Sequence, residues 1–239
     1  MREDLLQSEA EKALSAGGRV ATFNFQDEKY WVKQKAERGW FLRLQKGSAG
    51  SLFEREISSM KAFWALGISV PELVKETETY FITRDNGVSL EAVFRASPSN
   101  QGVLVDAINA IAKMHRAGCA HGGLHMRNMT FQKGRIGFLD LEKTIVSHAS
   151  EQAQAYDIVV LVWSLISIDA HAVSYLGEIK EKYKNAGGPA WPAAEEWCQK
   201  RRWLKPASAP LRWHEARFKS DDKYLRYAAV PVVMAFFGA

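Results

Sequence analysis

The stretch 119–142, CAHGGLHMRNMTFQKGRIGFLDLE, constrains this chain more than any other. Its skeleton is His121-x-x-Leu124-x-x-x-Asn128, a turn at Lys133-Gly134, and an apolar run Ile136-Gly137-Phe138-Leu139 that ends on Asp140. Gly122-Gly123 disfavour a helix after His121, so the segment is expected to be a loop. The same glycines count against a zinc pair of His121 and His125, because that spacing brings two imidazoles together only on a helix. The apolar run reads as a short strand that sets Asp140 at its end.

With 239 residues, 47% hydrophobic and 25% charged, the chain can bury a real core as one domain or two small lobes. The formal charge of +5 and a pI near 9.1 favour an anionic partner: a nucleotide, a phosphorylated glycolipid, a membrane surface or nucleic acid. Charge alone does not choose among them. Cys119 and Cys198 make no disulfide framework and stand in no zinc spacing, so a reduced, cytoplasmic setting is expected. The start, MREDLLQSEAEKALSAGG, is too charged for a signal peptide. The apolar tail AAVPVVMAFFGA is shorter than the ~20 residues of a membrane helix and contains Pro231. It is expected to dock on the body of the protein, with membrane-surface contact as the alternative.

In chain order, Leu5, Leu6, Ala10, Ala13 and Leu14 recur at helical spacing and Gly17-Gly18 closes that helix. VATFNFQ and KYWVKQKA alternate around a polar turn at Asp27-Glu28, the pattern of a hairpin, which carries Lys33 and its neighbour Lys35. The segment 36–50 reads as loop with an apolar insert from Trp40 to Leu44. SLFEREISSMKAFWALG follows as an amphipathic helix, with Leu52, Ile57, Met60, Phe63, Trp64 and Leu66 as its apolar stripe and Glu56 within it. Thr79 to Thr83 reads as a strand, Arg84-Asp85-Asn86-Gly87 as a polar break, and Ser89-Leu90 as a capped helix start. The expected boundary lies here, dividing 1–84 from 85–239. A long helix over 103–117 with Leu104, Ala107, Ile108, Ile111 and Met114 on one face leads into the loop, and a buried helix over 155–166 follows it.

YWVKQKAERGW, FEREISSMKAFWALGISVPELV and HGGLHMRNMTFQKGRIGFLDLEKT together resemble the bacterial lipopolysaccharide core kinases, the Kdo and heptose kinase group of the protein-kinase-like superfamily, over about residues 19–168. The resemblance implies an α+β, two-lobed protein-kinase-like fold with a small β-rich N-lobe and a mainly helical C-lobe. It implies ATP and Mg²⁺ as cofactors and a sugar hydroxyl of the lipopolysaccharide core as acceptor. Position by position, Lys33 matches the lysine that holds the nucleotide phosphates, Glu56 its partner, Asn128 and Asp140 the metal ligands, and Asp157 an aspartate that braces the catalytic loop. Gly123 stands where the base aspartate belongs. No Gly-x-Gly-x-x-Gly loop precedes the hairpin, and Ala16-Gly17-Gly18 is a poor substitute.

Each position has a plainer reading: a solvated strand lysine, a salt bridge from Glu56 to Lys61 or Arg55, a turn cap at Asn128, a strand end at Asp140, and a first-turn charge at Asp157. His121 is expected to pack beneath the loop. His125, with an ordinary pKa of about 6.5, is a candidate base, displaced by two residues from Gly123. Three functions remain open. One is an active ATP-dependent sugar kinase; another is a pseudokinase that binds nucleotide as a scaffold or regulator. The third is a small-molecule kinase of the aminoglycoside or choline kinase kind. The segment 195–226 interleaves basic residues, among them Arg201, Arg202, Lys205, Arg212, Arg217, Lys219, Lys223 and Arg226, with Trp197, Trp203, Trp213 and Phe218. It would grip an anionic glycolipid at the inner-membrane surface, with nucleic acid disfavoured; the alternative is a solvated surface whose tryptophans pack inward.

Overall fold

A computed structural model describes residues 2–16, 18–36, 49–97, 100–218 and 227–239. The insert expected from Trp40 to Leu44, and the basic positions Lys219, Lys223 and Arg226, lie outside them. The architecture is α+β, and its contacts divide the chain into two compact units, Met1–Gly87 with Gly137–Thr144, and Val88–Ile136 with Ile145–Ala239. A single cut after residue 84 does not describe this division. Residues 85–87 stay with the first unit, where the Asp85 amide donates to the Lys29 carbonyl, and Gly137–Thr144, which takes in most of the apolar run and Asp140, rejoins it.

In the first unit, helix α1 (Arg2–Ala16) precedes strands β1 (Val20–Phe25) and β2 (Glu28–Gln34). The turn between them is Gln26-Asp27, one residue earlier than the sequence pattern places it. Both residues are left-handed, at φ 51° and 63°, which matches a two-residue loop to the strand twist. Helix α2 (Ala49–Ala65) then leads to β3 (Leu73–Glu76) and β4 (Tyr80–Arg84), closing an antiparallel sheet of order β1-β2-β4-β3. Alternation along β2 does the positioning. Tyr30 and Val32 bury against Leu6 and Ala10 of α1 together with Tyr80 and Ile82, so Lys33 faces the opposite side. There its register partner Phe81 packs on Phe53 of α2, with ring centroids 5.4 Å apart.

The buried stripe of α2 is Phe53, Glu56, Ser59, Met60 and Phe63. The expected stripe was rotated: Trp64 and Leu66 are exposed, and Glu56 lies on the inward face. Hydrophobicity alone misplaces this helix because two polar residues occupy its buried side. Phe138 packs edge-on against Phe63, and its amide donates to the Ser69 carbonyl, which fixes the segment carrying Asp140 beside α2.

The second unit opens with β5 (Val88–Ser89) and helix α3 (Leu90–Ala96), whose cap is the Ser89 hydroxyl accepting from the Ala92 amide. Helix α4 (Gln101–Arg116) buries Leu104, Ala107, Ile108, Ile111 and Met114 as expected. A 3-10 turn at Met126–Asn128 precedes β6 (Met129–Gln132) and β7 (Arg135–Phe138), which form a small sheet of order β5-β6-β7. Helix α5 (Glu151–Ile168) is apolar on nearly every side, and α6 (Leu176–Asn185) and α7 (Trp191–Gln199) follow. Short helices α8 (Leu204–Ala207) and α9 (Ala209–Phe218) precede the tail helix α10 (Ala229–Phe236). The tail docks: Ala229, Val233, Met234 and Phe237 are buried, and Phe237 stacks near Trp191. Among the described residues no helix is long and apolar enough to cross a membrane.

Candidate active site

In the first unit the site is built around Lys33. Its Nζ lies 2.8 and 2.6 Å from the two carboxylate oxygens of Glu56, with the side chains only 16% and 7% exposed. β2 aims the lysine at α2, and the inward face of α2 supplies the glutamate. Of the plainer partners for Glu56, Lys61 pairs with Glu76 instead, and Lys35, the neighbour of Lys33, pairs with Glu54. Burial raises the Glu56 carboxyl above the usual carboxylate range, against the pull of Lys33. Asp140 lies 3.8 Å from the same ammonium with its side chain about half exposed, on a left-handed backbone of φ 58°.

Two further residues belong to this cluster. Glu142 Oε1 lies 3.2 Å from Lys33 Nζ and 2.8 Å from Arg19 Nη2. Burial would push Glu142 up, but Lys33 and Arg19 outweigh it and hold the carboxyl below its usual range. Of the two residues after Asp140, Leu141 sets packing, buried to 1% exposure, and Glu142 pairs with cations. Arg19 and Glu142 are 123 positions apart, and no local pattern links them.

In the second unit the loop 121–128 is held from α5. The fully buried Asp157 accepts the His121 amide at 2.6 Å and the Gly122 amide at 2.9 Å. Gly122 is left-handed at φ 80°, a conformation that turns two successive amides toward one carboxylate. Gln154 donates to the carbonyls of His115 and Cys119, and the Ser164 hydroxyl accepts the Met126 amide. Gln154, Asp157 and Ser164 share one face of α5 by spacing, a polar line in an otherwise apolar helix that the sequence displays in retrospect. Behind Asp157, a chain runs from the Ala190 amide to Tyr183, from Tyr183 to His115 Nδ1 at 2.7 Å, and from His115 Nε2 to Asp157 at 3.4 Å. One donor serves each step if the neutral imidazole carries its proton on Nε2. Burial pushes the Tyr183 hydroxyl well above its ordinary pKa, so it remains a donor.

Asn128 donates through Nδ2 to the Gly123 carbonyl at 3.0 Å. That bond orients the amide and leaves its oxygen as the acceptor end. A Cβ built on Gly123 meets no atom within 4 Å, and the residue is not left-handed, so nothing local requires glycine there. His121 is buried at 1% exposure. The His125 ring packs edge-on against Trp163 with centroids 5.5 Å apart. Lys33, Glu56 and Asp140 thus come together in the first unit, and His121, Gly123, His125, Asn128 and Asp157 in the second. Among the described residues no group of three or more His, Cys, Asp or Glu forms a metal cage. Asp140 and Asn128 each carry an oxygen donor of the kind Mg²⁺ prefers, one in each unit.

The Lipopolysaccharide kinase (Kdo/WaaP) family profile matches residues 3–176. A curated protein of Haemophilus influenzae, described as an uncharacterized protein, is 23% identical over 128 residues, which cover 52% of this chain and 53% of that protein. The chain therefore spans about half the length of that relative. The matched family region covers most of the chain and contains Lys33, Glu56, Asn128, Asp140 and Asp157, and on that ground the chain belongs to the lipopolysaccharide kinase (Kdo/WaaP) family.

Proposed function

We propose that this protein transfers the γ-phosphoryl group of ATP to a sugar hydroxyl of the lipopolysaccharide core, as a two-lobed kinase-like enzyme. The observation that carries this reading is the buried Lys33–Glu56 pair with Asp140 beside it. A lysine held by a buried carboxylate keeps its charge and its direction, and so can neutralise phosphate oxygens in the ground and transition states. Asp140 and the Asn128 amide oxygen are the residues that would hold Mg²⁺. Bound there, the ion would offset charge on the phosphate oxygens. Asp157 acts at one remove, keeping the loop that carries Asn128 in shape.

Gly123 leaves no carboxylate to take the hydroxyl proton. Phosphoryl transfer passes through a loose transition state in which alignment and charge neutralisation outweigh proton removal, so the proton can pass to water after the P–O bond forms. Neither histidine takes the base role in this reading: His121 is buried in the loop's support and His125 is packed against Trp163. The test is transfer of labelled γ-phosphate to dephosphorylated core oligosaccharide by the wild type and by Gly123→Asp. A Cβ at Gly123 meets no atom within 4 Å among the described residues, so both proteins are expected to melt together and both to transfer label, the variant up to about a hundredfold faster. Nucleotide binding with transfer only in the variant would identify a pseudokinase instead.

The acceptor's membrane setting fits the surface of 197–217. Trp203 and Trp213 are 59% and 62% exposed rather than packed inward, with Leu211 at 47%. Arg217 lies over the Trp213 ring, and Arg201 sits 4.2 Å from the Trp197 centroid. Exposed indoles among arginines suit the interface of an anionic bilayer. A Trp203→Ala, Trp213→Ala double variant is expected to bind phosphatidylglycerol vesicles about tenfold more weakly in a sedimentation assay, without loss of folding. Equal binding by both proteins would remove the membrane role from this face.

A further inference from the structure

The Glu142 carboxylate occupies an anion site. Its Oε1 accepts from Arg19 Nη2 at 2.8 Å and lies 3.2 Å from Lys33 Nζ, one oxygen shared by two cations. That is the arrangement a non-bridging phosphate oxygen adopts between an arginine and a lysine. Neither cation is loosely placed. Arg19 precedes β1; its carbonyl accepts the Gln34 amide at 2.8 Å and its Nε donates to the Gln34 carbonyl at 3.3 Å, so its backbone and its guanidinium are tied to the residue after Lys33. Lys33 is tied to Glu56.

Among the described residues the charge around Lys33 is unbalanced. Glu56, Glu142 and Asp140 lie 2.6, 3.2 and 3.8 Å from its ammonium, three carboxylates against Lys33 and Arg19. A polyphosphate arriving beside Lys33 ahead of any metal ion would meet net negative charge from these groups unless one carboxylate gave way. Glu56 is the buried partner and Asp140 already stands half exposed with no shorter contact to the lysine. Glu142 is the one whose contacts, both to cations, a phosphate would replace in kind. It lies on a single 3-10 turn, Leu141–Lys143, anchored by the buried Leu141, so rotation of its own side chain is enough to move it.

We propose that Arg19 and Lys33 form a two-cation phosphate cradle that Glu142 closes when it is empty, and that a nucleotide phosphate binds by displacing the Glu142 carboxylate. Arg19 then does part of the work for which no glycine-rich loop is present in the sequence, and Glu142 sets a threshold that only a multiply charged anion crosses. The inference rests on the phosphotransferase reading for the identity of the anion, although the exchange itself concerns any polyphosphate.

Titration calorimetry on the full chain, with Glu142→Gln and Arg19→Gln, tests it using ATP, inorganic tripolyphosphate and adenosine as probes. Glu142→Gln is expected to bind ATP and tripolyphosphate about tenfold more tightly, because the competing carboxylate is gone, and Arg19→Gln about tenfold more weakly. Adenosine affinity should not move in either variant. If the wild type binds ATP and Glu142→Gln binds it no tighter or more weakly, the exchange is wrong and Glu142 serves the bound state, while the phosphotransferase reading stands. If tripolyphosphate follows the expected order and ATP does not bind, the exchange stands and that reading fails. If neither anion responds, both are wrong.

Discussion

Lys33→Ala is expected to lower phosphate transfer by about a hundredfold to a thousandfold, the usual loss when one charged donor to a transition-state oxygen is removed. The fold should survive the change. Glu56 would lose its closest cation, yet burial already raises its carboxyl, and the unpaired group can take a proton instead of holding a bare charge. A steady-state assay beside a thermal melt separates the two effects: activity should collapse while the melting temperature falls by no more than a few degrees. Glu56→Gln provides the internal comparison. It keeps a hydrogen-bond acceptor for Lys33 and should cost less than the lysine change. Equal activity in wild type and Lys33→Ala would make the pair a structural tie.

Asp157→Ala has the largest expected effect on stability. The substitution leaves the buried His121 amide and the half-buried Gly122 amide without this acceptor and exposes the His115–Tyr183 chain to an empty space. Losing the acceptor of one buried and one half-buried donor costs about 2–5 kcal/mol together, which corresponds to a melting temperature lower by roughly 5–20 °C for a chain of this size. Asp157→Asn, which keeps one carbonyl acceptor, should fall between. The loop carrying Asn128 depends on this carboxylate, so Asp157→Asn should also lose transfer at temperatures where it remains folded. A melt unchanged in Asp157→Ala would show that solvent or another group replaces the carboxylate and that the bracing role is wrong.

The sequence made the local devices readable and left the long-range ones hidden. The hairpin showed because alternation and a tight polar turn coincide in VATFNF and EKYWVKQ, and Lys33 showed because it stands in that alternation opposite Tyr30 and Val32. In helix α4 all five apolar positions named are buried, although the helix runs from Gln101 to Arg116 rather than over 103–117. Helix α2 was harder for the opposite reason. Glu56 and Ser59 lie on its buried face and Trp64 on its exposed one, so ranking residues by hydrophobicity rotates the helix away from its true packing.

Gly123 and Asp140 were legible as motif positions, whereas no local pattern singles out Glu142. Its importance comes from Arg19, which only the folded first unit brings to it. The same holds for His115 and Tyr183, which meet 68 positions apart behind Asp157. Gln154 and Ser164 leave a fainter trace, polar residues at helical spacing inside an apolar helix. Such residues survive burial only when something accepts or donates to them, and that pattern points toward the loop they hold.

The most direct test is transfer of label from γ-labelled ATP to dephosphorylated lipopolysaccharide core in the presence of Mg²⁺, with Lys33→Ala as the parallel sample. The predicted result is label on a core sugar with the wild type and at least a hundredfold less with the variant. No transfer by the wild type, or equal transfer by both proteins, would contradict it.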